Sequence, residues 1–461
     1  MLQIVSGSSR RMCDGLRRRE VLQIGTLGLG GLQLPALLAA RADAANTGRG
    51  VKDTSVVLLF LTGGPGQIET FDPKMTAPAE YRSVSGEVSS RIPGVSLGGT
   101  FPGLAGLADR LAIVRSFTHD TSDHTQAVEQ VMRGGNPIGQ TSMGAVAARL
   151  GGTSRGRSGM PAHVYLSSQE VDRQFDKERL RLLAAAGAGT LGGQYGPFPV
   201  GGDTQLNSDM QLAMTRARLD DRLTINRALD RMNRRIDATG AMRVLDDYQQ
   251  QALQLVLGTS RSAFDLSQED PRVVARYDTS RFLTGITGHR PSSLGHQMIL
   301  ARRLCEAGCG FVTIHNAGWD MHGGATQYNM SDGMEKLGRP VDHAVSAFLE
   351  DVRDRGLSDR ILLIITGEFG RTPRLNDSGG RDHWPRLSTL AFAGGGLRMG
   401  QVIGRSTAKA EEPQSDPVTP DQVLGTVLHV LFDLAAVREQ ADVPRTIVSL
   451  MQRSQPIREL L

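Results

Sequence analysis

Half of the ten histidines in this 461-residue chain stand just beyond short apolar runs, beside acidic residues. His119, Asp120, Asp123 and His124 follow the run at 111–114, in SFTHDTSDHTQ. His315, Asn316, Trp319, Asp320 and His322 follow 310–314, in HNAGWDMHGG. Glu368 and Arg371 follow 361–365, in TGEFGRTP, with Arg381, Asp382 and His383 close behind in GGRDHWP. Thr62, Gln67, Glu69 and Asp72 follow 56–61, in TGGPGQIETFDPK. Imidazole nitrogen and carboxylate oxygen are ligands for zinc, manganese and iron, and a metal so held can polarise a phosphoryl or sulfuryl oxygen or activate water. Asp320 and His322, two apart on a glycine-flanked loop, can point one way without a helix. Arg371 or Arg381 suits an oxyanion, because the planar guanidinium fork matches phosphate or sulfate oxygens. Ordinary roles compete: Glu69 and Asp72 as helix caps, Arg371 in an interior ion pair with Glu368 or Asp382, Trp319 as core.

The elements that must position these residues follow an α/β rhythm. The run VVLLFL at 56–61 is unbroken and ends in Gly63-Gly64-Pro65, as expected of a strand buried on both faces of a parallel sheet. Similar runs recur at 111–114, 163–166, 310–314, 361–365 and 388–392. Helix-like stretches lie at 127–133, 216–237, 241–257, 294–307, 334–355 and 421–432. Alternation of this kind predicts an α/β fold with a mostly parallel central sheet flanked by helices, and ligands outside the carboxyl ends of the strands. Residues 205–285 hold helices and no clear strand, which reads as a helical insertion. The charged, proline-containing stretch at 408–420 reads as a surface loop.

The formal charge of +4 arises from 52 basic and 48 acidic residues. Its source is the N-terminus, where Arg17, Arg18 and Arg19 precede a weakly apolar run at 21–40 and then Ala42-Asp43-Ala44. A positive region, an apolar region and a small-residue cleavage site make an export signal over residues 1–44, and Arg18-Arg19 fits the twin-arginine type. Glycines and a proline within the run argue against a membrane span, which needs about 20 predominantly apolar residues. Six arginines and three acids leave with such a segment, so the remaining chain is near neutral and nothing in it calls for nucleic acid. The expectation is export to the periplasm or cell surface, with no stable membrane insertion after cleavage. Cys305 and Cys309 are read as small buried hydrophobes rather than a bridge or a zinc site. The glycines at 63–66 lack the lysine of a phosphate loop, and no G-x-S-x-G elbow marks a serine hydrolase.

The series TGGPGQIETFDPK, RSFTHDTSDHTQAVEQVMRGGNP, HNAGWDMHGG and ITGEFGRTPRLNDSGGRDHWP, in this order, resembles the domain-of-unknown-function family 1501 over roughly residues 50–461. That family is similar to the alkaline phosphatase and sulfatase superfamily, and the resemblance implies an alkaline-phosphatase-like sandwich with metal at the strand ends. VMRGGNP at 131–137 resembles the end of the sulfatase signature, and counting back places His124 at the nucleophile's position, as nucleophile or further ligand. Histidine cannot become formylglycine. Asp320 with His322 resembles a metal-binding D-x-x-x-H pair with a shortened gap. Glu368 stands where the superfamily has an Asp-His pair, His383 where it has a late metal-binding histidine, and Glu69 is the carboxylate nearest its first-strand ligand. The implied set is Glu69, Asp320, His322, Glu368 and His383 around one divalent ion, zinc, manganese or calcium, with His124, Arg371 and Arg381 in catalytic roles. Two readings follow: an exported metal-dependent hydrolase of a phosphate or sulfate ester, small-molecule or carbohydrate, and a non-catalytic exported binding protein that keeps the fold.

Overall fold

The computed structural model describes residues 50–135, 138–155, 159–167, 175–201, 260–286 and 288–461. The expected export signal and residues 205–259 of the expected insertion lie outside them. No helix among the described residues is long and apolar enough to cross a membrane.

Eight strands form the central sheet: β1 (Ser55–Leu61), β2 (Ala112–Val114), β3 (His163–Ser167), β4 (Phe198–Gly201), β5 (Phe311–Asn316), β6 (Ile361–Thr366), β7 (Leu390–Gly394) and β8 (Gln401–Ile403). Their order is β8-β2-β7-β6-β1-β5-β3-β4. β1 is central and pairs in parallel with β5 on one side and β6 on the other. The sheet is mostly parallel as expected, but the run at 388–392 becomes β7, antiparallel to both β6 and β2. Helices α1 (His124–Met132), α2 (Met143–Gly151), α3 (Asp176–Ala185), α4 (Leu294–Glu306), α5 (Arg339–Asp354) and α6 (Pro420–Leu431) cover it.

Alternation along β1 sets the two layers, because successive side chains of a strand point to opposite faces. Val57, Leu59 and Leu61 join one core with Met298 and Leu304 of α4 and Val345 and Phe348 of α5. Val56, Leu58 and Phe60 join the other with Val128 of α1, Val146 of α2 and Leu424 of α6. Caps end the helices where the sequence supplies them: the Asp123 carboxylate accepts from Gln126 N at 2.9 Å, and Thr419 with Gln422 makes a capping box on α6. Cys305 and Cys309 are buried thiols that form no bridge with each other. Behind α4, Arg302 is 1% exposed between Glu269 and Glu306, both at 2.5 Å, and Asp351 at 3.0 Å, tying the segment after residue 260 to α4 and α5.

His163 on β3 and His315 on β5 are buried in the second layer, His315 stacked on Tyr165 with ring centroids 6.4 Å apart. Burial takes each imidazole down to about 3, with help from the Arg179 charge for His315. Folded pKa values below the unfolded value of 6.5 mean that their stabilisation is complete above pH 6.5 and is lost as pH falls towards 3. At pH 5 each ring removes about 2 kcal/mol. Urea unfolding of chelator-treated protein at pH 7 and pH 5 should show that loss, and His315→Leu should remove about half of it. An unchanged slope in the variant would assign the acid sensitivity elsewhere.

Candidate metal centre

The three middle strands deliver the site. β1 is followed by Thr62-Gly63-Gly64, β5 leads within a few residues to Trp319-Asp320, and β6 to Glu368-Phe369, so neighbouring strands release their loops side by side. Gly63 (φ 110°) and Gly64 (φ 91°) occupy backbone conformations that disfavour a side chain. A Cβ on Gly63 would also meet Asp320 N at 2.3 Å, and one on Gly64 the Phe369 ring at 2.5 Å. Trp319 N donates to Thr62 O at 3.0 Å, locking the β5 loop to the β1 loop. A short ribbon pairs Gly370–Arg371 with His383–Trp384 and carries His383 over the strand ends.

Asp320 is the hub. Its Oδ1 lies 3.0 Å from His322 Nε2 and 3.1 Å from His383 Nε2, and its Oδ2 lies 3.4 Å from His124 Nε2. Each ring is held from behind by an acceptor: Asp382 Oδ1 at 2.9 Å from His322 Nδ1, the Ser122 carbonyl at 2.9 Å from His383 Nδ1, and Glu368 Oε1 at 2.8 Å from His124 Nδ1. An acceptor behind Nδ1 assigns the proton of a neutral ring there, leaving an Nε2 lone pair aimed at Asp320. The Nε2 atoms of His322 and His383 are 2.9 Å apart and Arg371 Nη1 lies 3.3 Å from His322 Nε2, so in that tautomer two acceptors face each other, and a metal ion at the cluster or a proton on His322 relieves them. His124, Asp320 and His383 each offer a ligand atom within 4.8 Å of the others. The residues therefore fit a metal ion, with His322 adjoining.

Glu368 stands beside this cluster as a support. Its Oε1 accepts from Gly63 N at 2.8 Å as well as from His124, and its carbonyl takes His119 Nε2 at 2.5 Å. Glu69 is not brought to the cluster: it is fully buried against Arg381 at 3.2 Å and accepts from Ser83 Oγ at 2.7 Å and Val84 N at 3.0 Å. The Arg381 guanidinium, also fully buried, points the same way, donating to Glu69 and to the carbonyls of Arg82, Thr372 and Pro373. Arg371, 1% exposed, does reach the site but is committed there. Nε donates to Gly64 O at 2.9 Å, Nη1 to Arg381 O at 3.0 Å, and Nη2 to Gly63 O, to Trp319 O at 3.2 Å and to Asp320 Oδ1 at 2.6 Å. Neither arginine presents a free fork to an oxyanion, and both ring nitrogens of His124 face carboxylates, which does not suit a nucleophile.

Residues 53–460 match the family described as protein of unknown function DUF1501. The chain belongs to this family. No curated protein matches it. Solved structures similar to this DUF1501 chain include the lipoteichoic acid synthase LtaP from Listeria monocytogenes, 10% identical over 85% of this chain and 78% of that one, TM-score 0.37. The PsFucS1 sulfatase from Pseudoalteromonas sp. is 11% identical over 86% and 71%, TM-score 0.39. Alkaline phosphatase from the Antarctic bacterium TAB5 is 11% identical over 84% and 98%, TM-score 0.33.

Electrostatics bind the DUF1501 cluster together. Burial raises the Asp320 carboxyl, but hydrogen bonds from His124, His322 and His383 and the charge of Arg371 hold it well below the carboxylate range. Burial opposes charge on His124, yet hydrogen bonds to Asp320 and Glu368 push it up to about 9. Asp320 raises His322, while burial lowers His383. Four supporting groups fall outside the sequence-derived set. Gln327 Nε2 donates to Asp320 Oδ2 at 2.7 Å, and Asp382 orients His322. Phe369 packs on His383 and His124, with centroids 4.4 and 4.9 Å away. Glu178 of α3 accepts from Gly318 N at 3.1 Å and is pushed up to about 8 by burial and by the Glu368 charge. Asp382, next to His383 in an acid-histidine pair, was the one with a sequence signal.

Proposed function

We propose that this protein is an exported metal-dependent hydrolase of a phosphate or sulfate ester, with the metal held by His124, Asp320 and His383 and with His322 adjoining. The observation that carries the reading is the convergence of imidazole Nε2 atoms on one carboxylate, each ring oriented from behind by an acceptor. Nitrogen-rich ligation favours zinc or manganese over calcium, which takes oxygen ligands. When bound, the metal supplies Lewis acidity to an ester oxygen and lowers the pKa of water.

The chain's own residues supply placement. Arg371 and Gln327 fix the two oxygens of Asp320. Glu368 holds the β1 loop and the His124 ring on one oxygen, and Phe369 walls the rings. Water as the attacking group fits a cluster in which His124 is committed to two carboxylates. Export rests on the arginine-led segment at residues 1–44.

Metal analysis of the full chain purified with zinc or manganese should find about one ion per chain. At least one of a panel of aryl phosphate and sulfate esters should be turned over, with loss on chelation and recovery on metal return. Absence of bound metal would sink the reading. Bound metal with no turnover of any ester would move it to the non-catalytic binding protein.

A further inference from the structure

Neighbouring side chains of an extended ribbon point to opposite faces. On the ribbon that carries His383, the imidazole turns towards Asp320, and the next residue, Trp384, turns away from the centre. Trp384 packs instead on Ile68, Leu387 and Ala410, a small apolar cluster apart from the two cores of the sheet. Its Nε1 donates to Glu411 O at 2.7 Å, which ties the ribbon to the loop after β8. The other strand of the ribbon is pinned from the β1 side, where Gln67 donates to Arg371 O at 2.9 Å and accepts from Arg371 N at 2.8 Å.

The stretch at 408–420, charged enough to read as surface, buries Ala410 completely. Ala410 also stands at φ 55°, a left-handed conformation that glycine takes freely and other residues rarely adopt. Thr407 folds the loop to that shape, its carbonyl accepting from Ala410 N and its hydroxyl from Glu411 N, both at 2.9 Å. The Ser406 hydroxyl, donating to the buried Asp72 carboxylate, fastens the start of the loop. What alanine has here and glycine lacks is a methyl group, and that methyl belongs to the cluster under Trp384. Backbone strain held in place by its surroundings is a pointer to function.

We propose that Trp384 and Ala410 are positioning residues that set the height of His383 over the strand ends and thereby the metal affinity of the centre. The inference rests on the reading of His383 as a metal ligand. Phe369, with ring centroids 4.4 Å apart, and the Ser122 carbonyl, 2.9 Å from Nδ1, orient the imidazole itself. Neither holds the backbone from which the ring hangs; the ribbon does, and Trp384 is its anchor. Metal affinity depends on how firmly the surrounding structure keeps each ligand in place.

Two variants of the full chain test this. Trp384→Phe keeps an aromatic ring on the cluster and deletes the Nε1 donor. Ala410→Gly keeps the loop conformation and deletes the methyl. Zinc affinity, measured by competition with a chromophoric chelator, should fall about tenfold in each. The visible spectrum of the cobalt-loaded protein should shift in both, because a displaced imidazole changes the ligand field. Urea unfolding of chelator-treated Ala410→Gly should stay near wild type, since glycine's ease in the left-handed region offsets the lost methyl. Arg386→Ala, which removes only an exposed ion pair with Glu412 of the same loop, should leave zinc affinity within about twofold. Wild-type zinc affinity and an unshifted cobalt spectrum in both variants overturn the proposal and leave the metal reading standing. A wild type that binds no zinc defeats the metal reading, and this inference with it.

Discussion

Asp320→Asn lowers the metal affinity of the full chain by at least about 100-fold, the largest functional effect expected of a single isosteric change. The carboxylate is the common partner of three histidines, with Oδ1 facing His322 and His383 and Oδ2 facing His124. Arg371 and Gln327 donate to the two oxygens at 2.6 and 2.7 Å. An amide keeps one acceptor and turns an NH2 group towards either Arg371 or Gln327, so donor meets donor whichever way it flips. It also removes the charge that offsets a buried guanidinium. Gln327→Ala deletes only one donor to Oδ2 and should cost about tenfold. Competition against a chromophoric zinc chelator reads both. If the Asp320→Asn protein binds zinc within about tenfold of wild type, Asp320 is a hydrogen-bond hub and not a ligand.

The strand ends were legible because buried parallel strands leave unbroken apolar runs, and the residues just after 310–314 and 361–365 do meet around Asp320. The direction of β7 was not, since an apolar run reads the same both ways. β4 and β8 escaped notice because they are short, and β4 contains a proline that weakens any strand pattern. Spacing placed Glu69 and Arg381 near the site but could not show that they turn towards each other, which depends on a contact across 312 residues. The same limit hid the link between His124 and Glu368, separated by 244 residues. Glu178 had no signal at all: the sequence marked no element at 176–185, its helix is weakly amphipathic, and what buries Glu178 is packing under the β5 loop.

Arg371→Ala should lower folding stability by about 3–5 kcal/mol, because removing one member of a buried, paired set leaves the others uncompensated. Four carbonyls, from Gly63, Gly64, Trp319 and Arg381, would lose their donor in a dry loop junction, and Asp320 its counter-charge. The cost falls where the β1, β5 and β6 loops meet, so the variant should lose metal binding along with stability. Arg371→Lys should recover little of either. An ammonium has three donors radiating from one atom, whereas the guanidinium spans acceptors on both sides of a plane. Chemical denaturation of the metal-free forms measures the stability term apart from ligand linkage. If the lysine variant keeps wild-type stability, charge alone holds the junction and the fork geometry is incidental. If the alanine variant does, Arg371 has no structural role, and the oxyanion role expected from the sequence becomes the better reading of its position.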